Sequence, residues 1–328
     1  MTDVERLLPE GVELSFAEIN ASLGRCPGEE GNRPQGRALA ATVVTVGSDA
    51  RLNEAARALD RLRTHTAVRT ILISVGSETR PVPRRAGDTI ALSGLQPSFV
   101  NNAVAALRLS SLPTIVWWRG GRQPGVLEGL THLADRVVLD DEEPMSAWRR
   151  AAALFDRAAF SDLTWTRLTR WRTLMANFFD IPEVRAASPR FDRLRITGAD
   201  AIAAKLFAAW ITDSLDRSPA IETEIIAGRR GAFIEEVRFG DGEERLLLRL
   251  APSGSCVQTS AEVRDHRSAR RTVSLGDQSL TALMTEELAI RARDRAFEAA
   301  VRACVGAAGR ESPAPEPGRG ATGPGSRA

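Results

Sequence analysis

The side chains best equipped for chemistry are arginines set among tryptophans, in Asp162-Leu-Thr-Trp-Thr-Arg-Leu-Thr-Arg-Trp-Arg172. At about 100 degrees per residue, a helix through this stretch puts Trp165, Leu168, Trp171, Leu174, Met175, Phe178 and Phe179 on one half of its surface, with Arg172 among them. A guanidinium stays charged and is rarely left unpaired in apolar surroundings, so Arg172 needs a carboxylate, a phosphate or carbonyls beside it. Two readings fit. In one, this is a core helix whose arginine pairs internally, with Asp162 a candidate partner. In the other, Trp165, Arg167, Trp171 and Arg172 combine stacking area with forked donors to hold an anionic group or a partner's carboxylates.

Other candidates are weaker. Val46-Gly-Ser-Asp49 joins a strand to a helix, where backbone amides could hold a phosphate, but no Gly-x-Gly-x-x-Gly or Gly-x-x-x-x-Gly-Lys pattern is present and an ordinary capped βα turn is the favoured reading. Asp140-Asp-Glu-Glu143 follows a strand and could hold magnesium; a solvated acidic first turn of the next helix is the favoured reading. Trp117 and Trp118 are adjacent on a strand and must point to opposite faces, one into the core and the other against a helix or at an interface, with core packing the favoured reading over a contact role. His65, His132 and His266 are isolated, with no helical i, i+4 pair. Cys26, Cys256 and Cys304 are odd in number and far apart, which argues against a disulfide framework and against a zinc site. No catalytic residue, cofactor site or metal site is identified.

The net charge is +2 with acids and bases interleaved, so no nucleic-acid surface is implied. Lys205 is the only lysine, and arginine counts are discounted as a compositional bias. The first residues do not read as a secretory leader and no apolar run approaches the roughly 20 residues that span a bilayer, so the expectation is a cytoplasmic protein without a membrane partner.

The elements that must position these side chains follow from periodicity. Ser15-Phe-Ala-Glu18 is a capping box for a helix reaching about Leu23. From Leu39, short apolar runs alternate with helical patterns, the sign of βαβ units. Strands are expected at 42–46, 70–75, 89–92, 114–118 and 136–139, and helices at 49–63, from Pro97, at 126–132 and at 146–160, followed by the Trp/Arg helix to Asp180. A helix at 200–215, strands at 221–226, 232–239, 245–250 and 255–263, and one long helix over 277–304 come next. The fold class is thus α/β, with a mainly parallel, doubly wound N-terminal sheet followed by a smaller α+β domain with an antiparallel sheet. The expected organisation is an N-terminal helix and loop (1–36), an α/β domain ending in the Trp/Arg helix (37–182), an α+β domain (183–305) and a disordered tail (306–328).

In order along the chain, Pro113-Thr-Ile-Val-Trp-Trp118, the motif Asp162 to Arg172 and the segment Leu280 to Ala303 resemble the glucose-6-phosphate dehydrogenase assembly protein family, OpcA. The resemblance covers most of residues 37–304. It implies a non-catalytic protein that binds glucose-6-phosphate dehydrogenase, promotes its active form and supports the oxidative pentose phosphate pathway. Trp117, Trp118, Asp162, Trp165, Thr166, Arg167, Trp171 and Arg172 are the positions at which the family motif would contribute to partner binding or to the fold. A sugar-phosphate-binding enzyme and a structural adaptor for another enzyme stay open as alternatives.

Overall fold

Runs that are apolar on both faces make strands buried on both faces, and Ala41–Val46 is such a strand, with none of its residues more than 3% exposed. It lies at the centre of an eight-stranded sheet. The computed structural model describes residues 7–23, 38–64, 66–79, 81–121, 123, 125–216, 220–228, 232–264, 266–267, 270–290 and 292–311. Its first sheet comprises β1 (Val12–Glu13), β2 (Ala41–Val46), β3 (Val68–Glu78), β4 (Arg84–Ala86), β5 (Thr89–Leu95), β6 (Thr114–Trp118), β7 (Arg136–Leu139) and β8 (Ala159–Asp162). The order is β1-β4-β5-β3-β2-β6-β7-β8, parallel from β5 to β8 and antiparallel at the β4 and β1 edge.

One face of this sheet packs under α3 (Pro97–Leu107), α4 (Val126–Leu130) and α5 (Pro144–Ala152), in a core that includes Val44, Ile71, Val116, Trp118 and Phe160. On the other face α2 (Asp49–Leu62) covers only part of the strands. The remainder, Ile115, Trp117 and Val138, is closed by Leu283, Met284 and Leu288 of α10 (Leu280–Ala289). Helix α1 (Phe16–Leu23) starts as its capping box predicts: the Ser15 N–H and hydroxyl both donate to Glu18 at 2.7 Å, and the Glu18 N–H donates to the Ser15 hydroxyl at 3.2 Å.

Three of the expected helices depart from the sequence reading. The helix expected to reach residue 160 stops at Ala152, and Ala159–Asp162 is a strand, β8, pairing with β7 in parallel. Four residues buried on both faces carry no alternation, and the alanines before them continue a helical pattern. The Trp/Arg helix is two helices, α6 (Leu163–Arg167) and α7 (Thr169–Phe178). At the junction the Leu168 N–H is shared between the carbonyls of Thr164 at 3.2 Å and Trp165 at 3.1 Å, a 3₁₀-like tightening that interrupts the helix. The long final helix is also two, α10 and α11 (Arg295–Glu311), and α10 packs on the first sheet rather than the second.

After α8 (Pro182–Ala187), the second sheet is built from β9 (Arg193–Gly198), β10 (Glu222–Ala227), β11 (Glu236–Gly240), β12 (Arg245–Leu250), β13 (Cys256–Val263), β14 (His266–Arg267) and β15 (Arg271–Ser274). Strand β9, absent from the sequence reading, lies second from the edge and is parallel to β10 through the crossover helix α9 (Ala201–Ser214), so this sheet is mixed. Its inner face, with Leu194, Ile196, Val237, Phe239, Leu246 and Leu248, shares one continuous core with α9, α11 and the first sheet. Its outer face carries exposed pairs such as Arg195–Glu224 at 2.7 Å and Arg245–Glu262 at 2.6 Å, which contribute little stability. The hairpin predicted at Asp241-Gly242 is present, with Gly242 at φ 100°. A side chain at the neighbouring Gly240 would run into the Glu244 carbonyl. Gly240→Ala should therefore cost about 1–3 kcal/mol, the range for forced overpacking, read as a lower urea midpoint. An unchanged midpoint would show that the hairpin yields freely.

Residues 306–311, expected in the tail, continue α11, while Cys26, His65 and residues 312–328 lie outside the described residues. No helix among the described residues is long and apolar enough to cross a membrane.

Candidate functional site

The Asp162-to-Arg172 motif sits where β8 leaves the first sheet. Its apolar half is as expected: Trp165, Leu168, Trp171, Met175 and Phe178 are buried, and Leu174 and Phe179 are partly buried against the same core. Asp162, 2% exposed, ends β8 and caps α6 by accepting from the Thr164 N–H at 2.7 Å. Its other oxygen accepts from the Trp148 indole at 2.8 Å. Burial pushes this carboxyl up to about 6, against the two hydrogen bonds, which favour the ionised form.

Thr166 points into a second buried cluster. Its hydroxyl and that of Ser161 each donate to Glu287 Oε1 at 2.6 Å, while Arg136 donates to Glu287 Oε2 through Nε at 3.0 Å and Nη2 at 2.7 Å. Arg136 is 4% and Glu287 1% exposed. All four donors converge on one carboxylate, which fastens α10 to the first residue of β7, to β8 and to α6.

Arg172 is not paired with Asp162. Its Cζ lies 3.6 Å from the centroid of the Trp165 ring, and its Nη2 donates weakly to the Thr169 hydroxyl at 3.4 Å. The Trp165 indole N–H donates to Asp294 at 2.7 Å, and its ring packs on Phe297 at 5.7 Å. Asp294 in turn caps α11 through the Phe297 N–H at 3.0 Å. Burial pulls the Arg172 guanidinium down to about 10, opposed by the charges of Asp294, Glu286 and Glu287. The anionic setting that the sequence demanded is therefore supplied at longer range by the loop and helices after the second sheet, with an indole face as the direct contact. Arg167 is half-buried and Arg170 exposed, so the motif still presents guanidinium groups at the surface.

Trp117 and Trp118 do face opposite sides of the sheet, and both are fully buried. The Trp118 indole donates to Asp141 at 3.0 Å. Asp140 and Asp141 are not a solvated helix turn: Asp140 pairs with Arg119 at 2.8 Å and with Arg51 at 3.2 Å, and Asp141 pairs with Arg150 at 3.4 Å. No group of acids, histidines or cysteines among the described residues is arranged to hold a metal ion.

The network around Arg119 lies at the carboxyl ends of β2, β6 and β7, beside the point where strand order reverses and where open α/β sheets usually bind ligands. Arg119 is 3% exposed, and besides Asp140 it bonds Glu54 at 3.1 Å and the Arg51 carbonyl. Its Cβ stands 3.1 Å from where a side chain on Gly47 would begin. The βα turn read as a possible phosphate cradle is thus covered by Arg119. Cys304 is buried and its thiol is pushed up to about 12, which keeps it protonated and inert.

Sequence reasoning missed Arg136, Trp148, Glu287, Asp294 and Arg119. One was detectable: Glu287 stands at helical spacing among Leu283, Met284 and Leu288, the same anomaly that singled out Arg172.

Residues 158–301 match the family model described as the C-terminal domain of a glucose-6-phosphate dehydrogenase subunit. A protein of Nostoc punctiforme, provisionally named OxPP cycle protein OpcA, is 30% identical over 140 residues, covering 40% of this chain and 30% of that protein. Its namesake in Synechocystis sp. is 28% identical over 128 residues, covering 37% of this chain and 27% of that protein. The matched region thus spans less than a third of either relative's length. Among solved structures, an aldose–aldose oxidoreductase from Caulobacter crescentus superimposes with a TM-score of 0.49 at 11% identity, covering 84% of this chain and 98% of that one. Nothing functional is drawn from so distant a superposition. The matched segment begins just before β8 and ends inside α11, so it takes in the whole Trp/Arg motif together with Glu287 and Asp294, while Arg136 and Trp148 lie before it; over residues 158–301 the chain is similar to the OpcA family.

Proposed function

We propose that this chain is a non-catalytic assembly factor and allosteric activator of glucose-6-phosphate dehydrogenase, acting in the cytoplasm in support of the oxidative pentose phosphate pathway. The observation that carries this reading is the match of residues 158–301 to a domain described as belonging to a subunit of that dehydrogenase. The closed crevice supports it. Arg119, Asp140, Arg51 and Glu54 fill the place where a doubly wound sheet would hold a ligand, and opening it would strip Arg119 of its ion pairs.

Activation without chemistry is a population shift. The chain must bind the active dehydrogenase more tightly than the inactive one, and a differential of about 1.4 kcal/mol shifts that equilibrium tenfold. Most of the motif is interior and holds the fold, so a partner would meet its arginine side, at Arg167, Arg170 and Arg172. The test is to add the purified chain to the dehydrogenase of the same organism at subsaturating glucose 6-phosphate. Higher activity or a larger oligomer is expected. No change in apparent affinity, turnover or oligomer size would refute the proposal.

A further inference from the structure

Arg293, Arg295, Glu298 and Arg302 line a surface cavity of about 360 Å³, at the lower end of the roughly 300–1,000 Å³ range of small-molecule sites. Arg295, Glu298 and Arg302 recur at intervals of three and four residues, so they share one stripe of α11, with the two arginines two helical turns, about 10.5 Å, apart.

Two of the three guanidiniums are already positioned. Arg293 forks Glu298, with Nε and Nη2 each donating at 2.9 Å, and Glu298 is itself 4% exposed. Arg302 lies with its Cζ 5.1 Å from the centroid of the Phe155 ring, a buried side chain that fixes where the guanidinium can stand. Arg295 and Arg302 are exposed, and among the described residues their forks face no acid within ion-pair distance, which leaves both sets of donors for a ligand.

Three positive charges and one negative give the lining a net charge of +2. Asp156 lies close enough to influence Arg293 but does not line the cavity. A carboxylate would satisfy half of this charge. A phosphate monoester, at about −1.5 to −2 near neutral pH and with three acceptor oxygens, matches it. The cavity is larger than a phosphate alone needs, and Glu298, with a lone pair left on each oxygen, can accept from hydroxyl groups of the remainder.

We infer that this cavity binds a small sugar phosphate, with the phosphoryl group between Arg295 and Arg302 and the sugar hydroxyls toward Glu298. The site belongs to α11 and the residues just before it and does not depend on association with a dehydrogenase, so it stands or falls separately from the function proposed above.

The test is titration calorimetry on the full chain alone, at constant ionic strength, with glucose 6-phosphate, inorganic phosphate, phosphoserine and glucose as probes. Saturable binding of glucose 6-phosphate at millimolar concentration or below is expected, with weaker binding of inorganic phosphate and none of glucose. Each of Arg295→Gln and Arg302→Gln should weaken binding about tenfold, as for one lost charge-assisted hydrogen bond. Arg302→Lys, which keeps the charge but loses the planar fork, should fall between. Circular dichroism establishes that each variant is folded, and Arg295→Gln serves if removing the Arg302 contact with Phe155 disturbs the helix. Absence of saturable glucose 6-phosphate binding, or binding indifferent to both substitutions, would overturn the site. Phosphoserine binding as tightly as glucose 6-phosphate would overturn its assignment to a sugar.

Discussion

Replacing Glu287 with alanine is expected to lower the unfolding free energy by about 3–5 kcal/mol, the range found when one partner of a buried ion pair is deleted. The loss has two sources. Arg136, 4% exposed, would keep its charge without a counterion, and the hydroxyls of Ser161 and Thr166 would each lose the acceptor they now reach at 2.6 Å. Urea denaturation reads the change as a lower midpoint at unchanged slope. The double variant Arg136→Met with Glu287→Leu separates the cost of an orphaned charge from the worth of the pair: it should recover much of the loss, because the burial cost of both charges disappears together. A single variant within about 1 kcal/mol of wild type, the range of exposed pairs, would mean that water enters the site and that the network does not fasten α10 as described.

The second large effect is one of pH. In the native protein burial raises the Asp162 carboxyl to about 6, against 3.8 for an ordinary aspartate. The folded state therefore holds this proton more tightly than the unfolded chain does. The stability it contributes is fully present below about pH 4 and is lost as pH rises through about 6, a change of about 3 kcal/mol at 1.36 kcal/mol per pKa unit. Exposed carboxyls such as Glu18 and Asp277, held low by hydrogen bonds from Ser15 and Ser279, titrate in the opposite sense, so the wild-type profile alone does not isolate the effect. Asp162→Asn does. Its amide cannot titrate, and its NH₂ must confront either the Trp148 indole N–H or the Thr164 N–H, since both oxygens of the aspartate accept. The variant should be less stable at pH 4, and the gap to wild type should shrink by about 3 kcal/mol by pH 7. A gap that stays constant between these limits would show that Asp162 titrates normally.

These two residues mark how far the sequence could be read. Local signals were legible: the valine- and threonine-rich run of β2, the Ser15/Glu18 capping box, the Asp241-Gly242 turn and the opposed indoles of Trp117 and Trp118 each depend on neighbours a few positions away. Asp162 was found, but its bond from the Trp148 indole was not, because Trp148 belongs to a helix read as running straight on into the space that β8 occupies. Strand β9, Arg-Leu-Arg-Ile-Thr-Gly, alternates clearly yet is short and follows a helix that ends in a proline-containing turn. The break between α10 and α11 was invisible because Ala289 to Ala296 contains good helix formers, and only the Asp294 cap and the docking of each helix on a different neighbour decide it. Ion pairs were the least legible. Arg136 and Glu287 are 151 residues apart, and nothing local to either names the other.

The return of α10 to the first sheet has a consequence for how the polypeptide comes into being. While residues 280–289 are still unsynthesised, Ile115, Trp117 and Val138 have α2 on one flank and water on the other, and Arg136 has no counterion. Strands β6 to β8 can pair in that state, but they cannot be sealed. The nascent chain must therefore carry a half-dry sheet through the making of more than a hundred further residues, and closing so long a loop late is entropically slow. The sheet that comes first along the sequence waits for a helix made after every strand of the second.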